Sequence, residues 1–310
     1  MNDFGTPAPP DVASGALSSV GDLLCEVEIE LGSAPAARWM LSNATGLADA
    51  QLLGALDRRV PAAAAFEVAH MLERWHAGEP LQYVLGRWAF RRLEVWVDRR
   101  VLIPRPETEQ VVGYALEELH RAVVSAAPDE SVIAVDLGTG SGVIALSLAA
   151  EIPRSDRSEL EVWATDDCAN AIDVARTNLS VLRTTDPAAA ERVRFREGSW
   201  FDALPLDLAG RVRVMASNPP YVSAAEWEGL EPAVRDHEPR RALVGGDTGR
   251  EMLEVLVSGA RDWLAPGGLL VLELAPHQAS SMVRAARSAG FIDVQVRPDL
   301  AGLPRALVAR

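Results

Sequence analysis

Ser131-Val132-Ile133-Ala134-Val135-Asp136-Leu137-Gly138-Thr139-Gly140-Ser141-Gly142 joins a continuous apolar, β-branched run to a loop with glycine at alternate positions. The run reads as a strand buried on both faces. The glycines let the chain turn tightly and bring its backbone close to a ligand. Val143–Ala150 continues as a helix, and the same rhythm repeats downstream. Strands are expected at Glu161–Thr165, Val193–Glu197, Val212–Ser217 and Gly268–Leu274, with helices at Ala169–Leu179, Glu251–Leu264 and Gln278–Ala289. Phe291–Arg297 and Arg305–Ala309 close the chain with no helix between them, so they form an antiparallel pair. Strand and helix in alternation predict an α/β fold, a doubly wound, mostly parallel seven-stranded sheet over residues 105–310.

Upstream the texture differs. Residues 1–15, MNDFGTPAPPDVASG, have no apolar period and read as a disordered tail. Residues 16–79 are Ala-rich with Leu, Val, Ile and Trp at three- and four-residue spacing, which predicts a small helical bundle. In 80–104, Tyr83–Gly86 and Leu93–Val97 flank a charged turn and are expected to pair as a β-hairpin linker. Pro104-Arg105-Pro106 ends that segment, and a helix opens at Glu107 with Glu109 in its first turn.

The chain has 310 residues, 48% of them hydrophobic, and a formal net charge of −14. Such a field repels a polyanion, so stable binding along nucleic acid is not expected. Cys25 and Cys168, the only cysteines, have neither metal-ligand nor disulfide-framework spacing, so no metal is expected. No basic stretch precedes an apolar core at the N-terminus, and runs such as Leu269–Leu274 are too short to span a bilayer. The expectation is a cytoplasmic monomer.

Asp166 ends the second expected strand of the sheet, where a carboxylate can accept both hydroxyls of an adenosine ribose. The loop Gly138-Thr139-Gly140-Ser141-Gly142 contains no Lys, which argues against a pyrophosphate ligand. S-adenosylmethionine carries no phosphate and fits it better. The competing reading makes Asp166 part of a helix cap, with Asp167 the better capping residue.

Ser217-Asn218-Pro219-Pro220-Tyr221 follows the apolar run Val212–Ala216, so it leaves the carboxyl edge of the sheet. Two prolines stop the strand and hold the turn rigid. That rigidity fixes two acceptors, the Asn218 side-chain oxygen and the Pro219 carbonyl. An amide NH₂ is a poor nucleophile because its lone pair is delocalised. If acceptors hold both N–H bonds, the nitrogen can pyramidalise, and the charge that grows on it is stabilised. Tyr221 is expected to stack on the planar group. An ordinary Pro-Pro turn is the alternative.

Taken together the chain resembles the HemK/PrmC family, the N5-glutamine methyltransferases of peptide-chain release factors. The resemblance covers residues 35–310 and rests on Glu79–Gly86, Val101–Glu109, Asp136–Gly142, Ser217–Tyr221, Glu238-Pro239, Ala242-Leu243, Gly245-Gly246 and Asp299–Gly302. It implies a class I S-adenosylmethionine methyltransferase fold with a helical N-terminal substrate-recognition domain. It implies methylation of the glutamine in the Gly-Gly-Gln loop of class I release factors, with S-adenosylhomocysteine as product. Gly138–Gly142, Asp166, Trp200, Asn218 and Phe90 would then contact the cofactor, with Trp200 against the adenine and Phe90 beside the methionine end. Asn218–Tyr221 would hold the glutamine. Without the resemblance Trp200 and Phe90 read equally as core aromatics, and Arg105 and Glu107 as pocket or solvated linker. The sequence departs from the family at Asp167-Cys168, at Asp247-Thr248-Gly249-Arg250 and at Glu273-Leu274-Ala275.

Three other functions share parts of this pattern. An adenine-N6 nucleic-acid methyltransferase would use the same Asn-Pro-Pro-Tyr chemistry on a flipped base, against which stand the acidic charge and the missing basic segment. A glutamine methyltransferase of a ribosomal protein tends to lack the Pro106–Glu109 stretch. A cofactor-binding module without catalysis would have no reason to keep Asn218 and both prolines.

Overall fold

The structure is a computed structural model and describes residues 19–127, 130–153 and 158–310. The expected tail at 1–15 lies outside the described residues. The chain divides into two compact units, one ending at Leu85 and one starting at Gly86.

The first unit is helical: α1 (Val20–Leu31), α2 (Ala34–Thr45), α3 (Asp49–Leu53), α4 (Ala62–His76) and α5 (Leu81–Leu85). Ser19 and Asp22 close a reciprocal capping box on α1, while Gly32 and Gly46 end α1 and α2 in the left-handed conformation that glycine adopts without strain. Val27, Met40, Leu41, Leu52, Val68 and Met71 form its buried interior.

The structure corrects the expected strand at Tyr83–Gly86, which is the helical turn α5. Tyr83 and Val84 both donate their amides back to the Pro80 carbonyl. Arg74 then donates to the Tyr83 and Val84 carbonyls while paired with Glu79 at 2.8 Å. A guanidinium on the last carbonyls satisfies a helix end where the chain must stop. The hairpin starts later, with β1 (Arg87–Phe90) antiparallel to β2 (Leu93–Trp96).

In the second unit α6 (Pro106–Ser125) precedes β3 (Glu130–Leu137), α7 (Val143–Glu151), β4 (Ser158–Asp166), α8 (Ala169–Thr185), α9 (Pro187–Ala190), β5 (Val193–Glu197) and β6 (Val212–Ser217). A short excursion follows: β7 (Val222–Ser223), α10 (Ala224–Trp227), α11 (Pro232–Arg235) and β8 (Val244–Gly246). The chain ends with α12 (Glu251–Trp263), β9 (Leu264–Glu273), α13 (Ala279–Ser288), β10 (Val294–Pro298) and β11 (Pro304–Ala309). Seven strands form one sheet in the order β10-β11-β9-β6-β3-β4-β5. All pairings are parallel except those of β11, which runs antiparallel to both neighbours. The strand order reverses between β3 and β6, so a crevice opens at their carboxyl ends, where ligands bind in open α/β sheets. Beneath it lies a core built from Ile133, Val135, Met215, Leu270, Leu272 and the inner faces of α12 and α13.

Asn178 of α8 pins the hairpin to this unit. Its side chain accepts from the Trp96 amide at 2.7 Å and donates to the Trp96 and Ser141 carbonyls. Helix α6 is fixed at its far end by Glu118, whose side chain is 2% exposed. Glu118 accepts from Arg213 at 2.8 Å and from Arg310, which directly follows β11, at 2.6 Å. Burial opposes ionisation of that carboxyl, but Arg310 and Arg213 outweigh it and hold the group below the usual carboxylate range. Glu118→Ala removes the carboxylate that Arg213 and Arg310 both bond, and roughly 3 kcal/mol of stability should go with it. Thermal unfolding of the variant is expected to shift down by about 6–12 °C; an unshifted Tm would show that the cluster contributes nothing net.

Candidate active site

Two loops leave the reversal point side by side. The glycine loop follows β3 and the Asn-Pro-Pro-Tyr turn follows β6, and the Ser217 hydroxyl donates to the Leu137 carbonyl at 2.5 Å, tying the two strand ends together. Between the loops lies a cavity of about 620 Å³, the size of a cofactor-binding site. Gly138, Thr139, Gly140, Ser141, Asp166, Trp200, Asn218 and Pro220 all line it.

The loop satisfies most of its own amides. Gly138 and Thr139 donate to the Thr165 carbonyl, Gly142 donates to Thr139, and Gly140 donates to Asp166 Oδ2 at 2.9 Å. What it offers a ligand is closeness. At Gly140, with φ at +54°, a Cβ would meet nothing within 4 Å, so the bare backbone faces open space. A Cβ at Gly138 would come 3.0 Å from the Trp200 ring, so this glycine lets the indole approach the loop closely. Trp200 itself sits in the left-handed region at φ 43°, a strained conformation for a bulky residue that recurs at ligand sites. Gly142 lies behind the cavity, where a Cβ would press on Ala175 and Leu146.

Asp136 is fully buried under the loop. Its Oδ2 accepts from the Thr139 hydroxyl at 2.6 Å and from the Ala145 amide, while Oδ1 has no partner. Burial, only partly offset by those two bonds, pushes its carboxyl up to about 7. Asp166 accepts from the Gly140 and Cys168 amides, so one carboxylate joins the glycine loop to the start of α8 while lining the cavity. Burial raises its carboxyl from the ordinary range, the two amide bonds acting the other way. Asp167 caps nothing here and pairs with Arg241 at 2.7 Å.

In the second loop Asn218 donates through Nδ2 to the Thr108 hydroxyl at 3.0 Å. Thr108 donates in turn to Glu273 Oε2 at 2.6 Å, and the Tyr221 hydroxyl donates to Glu273 Oε1 at 3.2 Å. Pro219 is buried and does not line the cavity. Tyr221 also lies outside the lining; its ring is half-buried against the core and its hydroxyl is held by Glu273. The Gly245-Gly246 pair explains how the turn is backed. A Cβ at Gly245 would overlap the Pro220 carbonyl, and one at Gly249 would overlap that of Tyr221. Gln278, 1% exposed, donates to the Tyr221 and Gly249 carbonyls and locks the layers together.

Phe90 is not brought into the cavity. It is 1% exposed at the end of β1, buried as Val95 is on β2, and it does not line the cavity. Arg105 and Glu107 do not line the cavity either; Arg105 is paired with buried Glu238, which also accepts from the Ile103 amide. The residues that do line it from this segment are Arg100, Val101, Leu102, Pro104 and Thr108, with Arg241, Ala242, Met252 and Val255 opposite. Arg100 is paired with Asp98 and Arg241 with Asp167. A bare glycine face, an indole close to it, an acidic anchor and no uncommitted arginine among the named lining residues suit a phosphate-free adenosine cofactor. Among the described residues no group of His, Cys, Asp and Glu could hold a metal ion.

Comparison with known proteins agrees with this geometry. Residues 17–86 match the model of the PrmC N-terminal domain, and residues 119–230 match the methyltransferase small domain. A release factor glutamine methyltransferase of Burkholderia pseudomallei is 39% identical over 271 residues, 87% of this chain and 89% of that protein. One from Streptomyces coelicolor is also 39% identical, over 77% of this chain and 79% of its own. One from Moorella thermoacetica is 38% identical over 87% and 88%.

Replacing Asp166 by Ala leaves the Gly140 and Cys168 amides without their acceptor and removes the one carboxylate of the cavity able to accept two hydroxyls. Titration calorimetry with S-adenosylhomocysteine should show affinity at least about tenfold lower, the worth of a hydrogen bond to a charged group; an unchanged Kd would confine Asp166 to a structural role.

Proposed function

This chain belongs to the release factor glutamine methyltransferases, and on that premise we propose that it methylates the side-chain amide nitrogen of the glutamine in the Gly-Gly-Gln loop of class I peptide-chain release factors. S-adenosylmethionine supplies an activated methyl group on a sulfonium and leaves as S-adenosylhomocysteine. The glycine loop, Asp166 and Trp200 are the residues that would hold it.

The observation carrying the reading is the state of Asn218. Its Nδ2 end is committed to Thr108, so its oxygen is the end that remains to accept an N–H from an incoming amide. The Pro219 carbonyl, on the same rigid turn, is the second acceptor. Two fixed acceptors draw both N–H bonds out of the amide plane, localise the lone pair and stabilise the positive charge that develops during transfer. They act mainly in the transition state, because a ground-state amide nitrogen carries little charge to stabilise. Tyr221, held by Glu273, walls this position rather than stacking freely on it. After transfer the nitrogen carries an extra proton, which it sheds to solvent as the amide recovers its resonance.

We read the protein as a cytoplasmic monomer that forms no stable complex with nucleic acid. Its charge of −14 supports the second point, since a polyanion would be repelled. No helix among the described residues is long and apolar enough to cross a membrane. The helical unit that ends at Leu85 is proposed to grip the protein substrate.

Mass spectrometry of a purified release factor after incubation with enzyme and S-adenosylmethionine should find one added methyl on the Gly-Gly-Gln peptide. Asn218→Ala should slow that transfer by roughly a hundredfold to a thousandfold, with cofactor Kd changed by less than about tenfold. Transfer to adenine in nucleic acid, with none to the release factor, would refute the assignment.

A further inference from the structure

Asparagine can present either end of its amide, and only one end serves the reaction. If the Asn218 NH₂ pointed at the substrate, two donors would face each other and methyl transfer would lose its acceptor. Something must set the orientation, and the cavity residues alone do not.

The answer lies one layer deeper. Glu273 is 0% exposed at the end of β9, and each of its oxygens faces a hydroxyl: Thr108 at 2.6 Å and Tyr221 at 3.2 Å. An ionised carboxylate has no proton to give, so both hydroxyls must donate to it. Thr108 has one hydroxyl hydrogen. Once that hydrogen is spent on Glu273, the Thr108 oxygen can only accept, and the Asn218 atom 3.0 Å away must be the NH₂. The reverse orientation would set two lone pairs against each other. The chain of donors therefore runs one way, from Asn218 to Thr108 to Glu273.

We propose, resting on the amide-methylation reading, that Thr108 and Glu273 are positioning residues that fix the Asn218 oxygen toward the substrate nitrogen, and that the proton on Glu273 switches the site off. A proton on Oε2 reverses the chain. The carboxyl then donates to Thr108, the Thr108 hydrogen turns to Asn218, and the amide rotates to put its oxygen inward and its NH₂ outward. Tyr221 is undisturbed, because it donates to the other oxygen. Neither residue touches the reacting nitrogen.

The groups around Glu273 place this switch in an accessible range. Burial pushes its carboxyl up to about 7, the Thr108 bond, Arg305 and the Tyr221 bond pull it down, and Glu107 pushes it up. Arg305 is itself held by Asp299 at 3.3 Å, and the charge of Arg105 acts on Tyr221. A group raised in this way is protonated below its pKa, so activity is lost as the pH falls through about 7 and recovered above it.

The test measures kcat against pH for transfer to the release factor glutamine, in wild type, Thr108→Val and Thr108→Ser, with S-adenosylhomocysteine Kd measured in parallel. Wild type should show an acid limb in kcat at or below about 7. Thr108→Val, similar in shape but lacking the hydroxyl, should lower the plateau kcat by about tenfold to a hundredfold. It should also lose the acid limb, since the proton on Glu273 can no longer be transmitted, while cofactor Kd stays within about threefold. Thr108→Ser should restore both plateau and limb. Glu273→Leu, provided it keeps the wild-type melting profile, should behave as Thr108→Val. A wild-type plateau in Thr108→Val, or the same acid limb in Thr108→Val as in wild type, overturns the inference and leaves the amide-methylation reading standing. No transfer to the glutamine by wild type overturns that reading and this inference together.

Discussion

The pairing of β3 with β6 brings two loops 80 residues apart to one crevice. Asp136 lies opposite Ala216 in the parallel register, and the Ser217 hydroxyl reaches the Leu137 carbonyl, so the last residues of both strands are held level. From that shared edge the glycine loop turns one way and the Asn-Pro-Pro-Tyr turn the other. Neither loop can drift without breaking backbone pairing in the middle of a seven-stranded sheet. Buried ladder bonds are costly to lose, because a stranded N–H or C=O there finds no water. The site inherits the rigidity of the sheet.

Much of this could be read in advance because the relevant signals are local. The apolar run ending at Leu137 and the glycines after it announce a strand and a turn within a dozen residues. The two prolines after Asn218 forbid continuation of β6 wherever that strand lies. Tyr83-Val84-Leu85 misled because a short buried apolar run has no period that separates a helical turn from a strand. What decided it was Arg74, nine and ten residues upstream, capping the carbonyls. Phe90 was an expectation carried by resemblance, and its burial at the end of β1 is the core reading that the sequence alone allowed equally. The pairing of Thr108 with Glu273 was invisible for a different reason. The two are 165 residues apart, and neither has a local pattern that names the other as its partner.

Three buried carboxylates in this unit show how partners rather than burial decide charge. Glu118 is held ionised because Arg213 and Arg310 stand against it. Asp136 and Glu273, which have hydroxyl or amide donors in place of a bonded arginine, are both pushed up to about 7. Neutral donors return less of the lost hydration than a cation does. Carboxyls that titrate near neutrality are poor as structural anchors and well suited to changing protonation state close to neutral pH. Position separates them, with Asp136 beneath the glycine loop and Glu273 behind the Asn-Pro-Pro-Tyr turn.

Helix α6 connects two of these carboxylates, Glu118 and Glu273. Thr108 lies in its first turn and Glu118 ten residues later, about 15 Å along the axis. At the first point the helix is bonded to the carboxyl end of β9 through Glu273, and at the second to the amino end of β6 through Arg213. The helix packs on β6 and β9 between these ties. A helix pinned at one end could slide or tilt by a fraction of an ångström, enough to lengthen a hydrogen bond between Thr108 and Asn218. Pinned at both ends against the strands that carry Asn218 and Glu273, it holds the Thr108 oxygen at a fixed height above the sheet. The arginine cluster around Glu118 therefore helps hold the spacing between Thr108 and Asn218 through the stiffness of one helix.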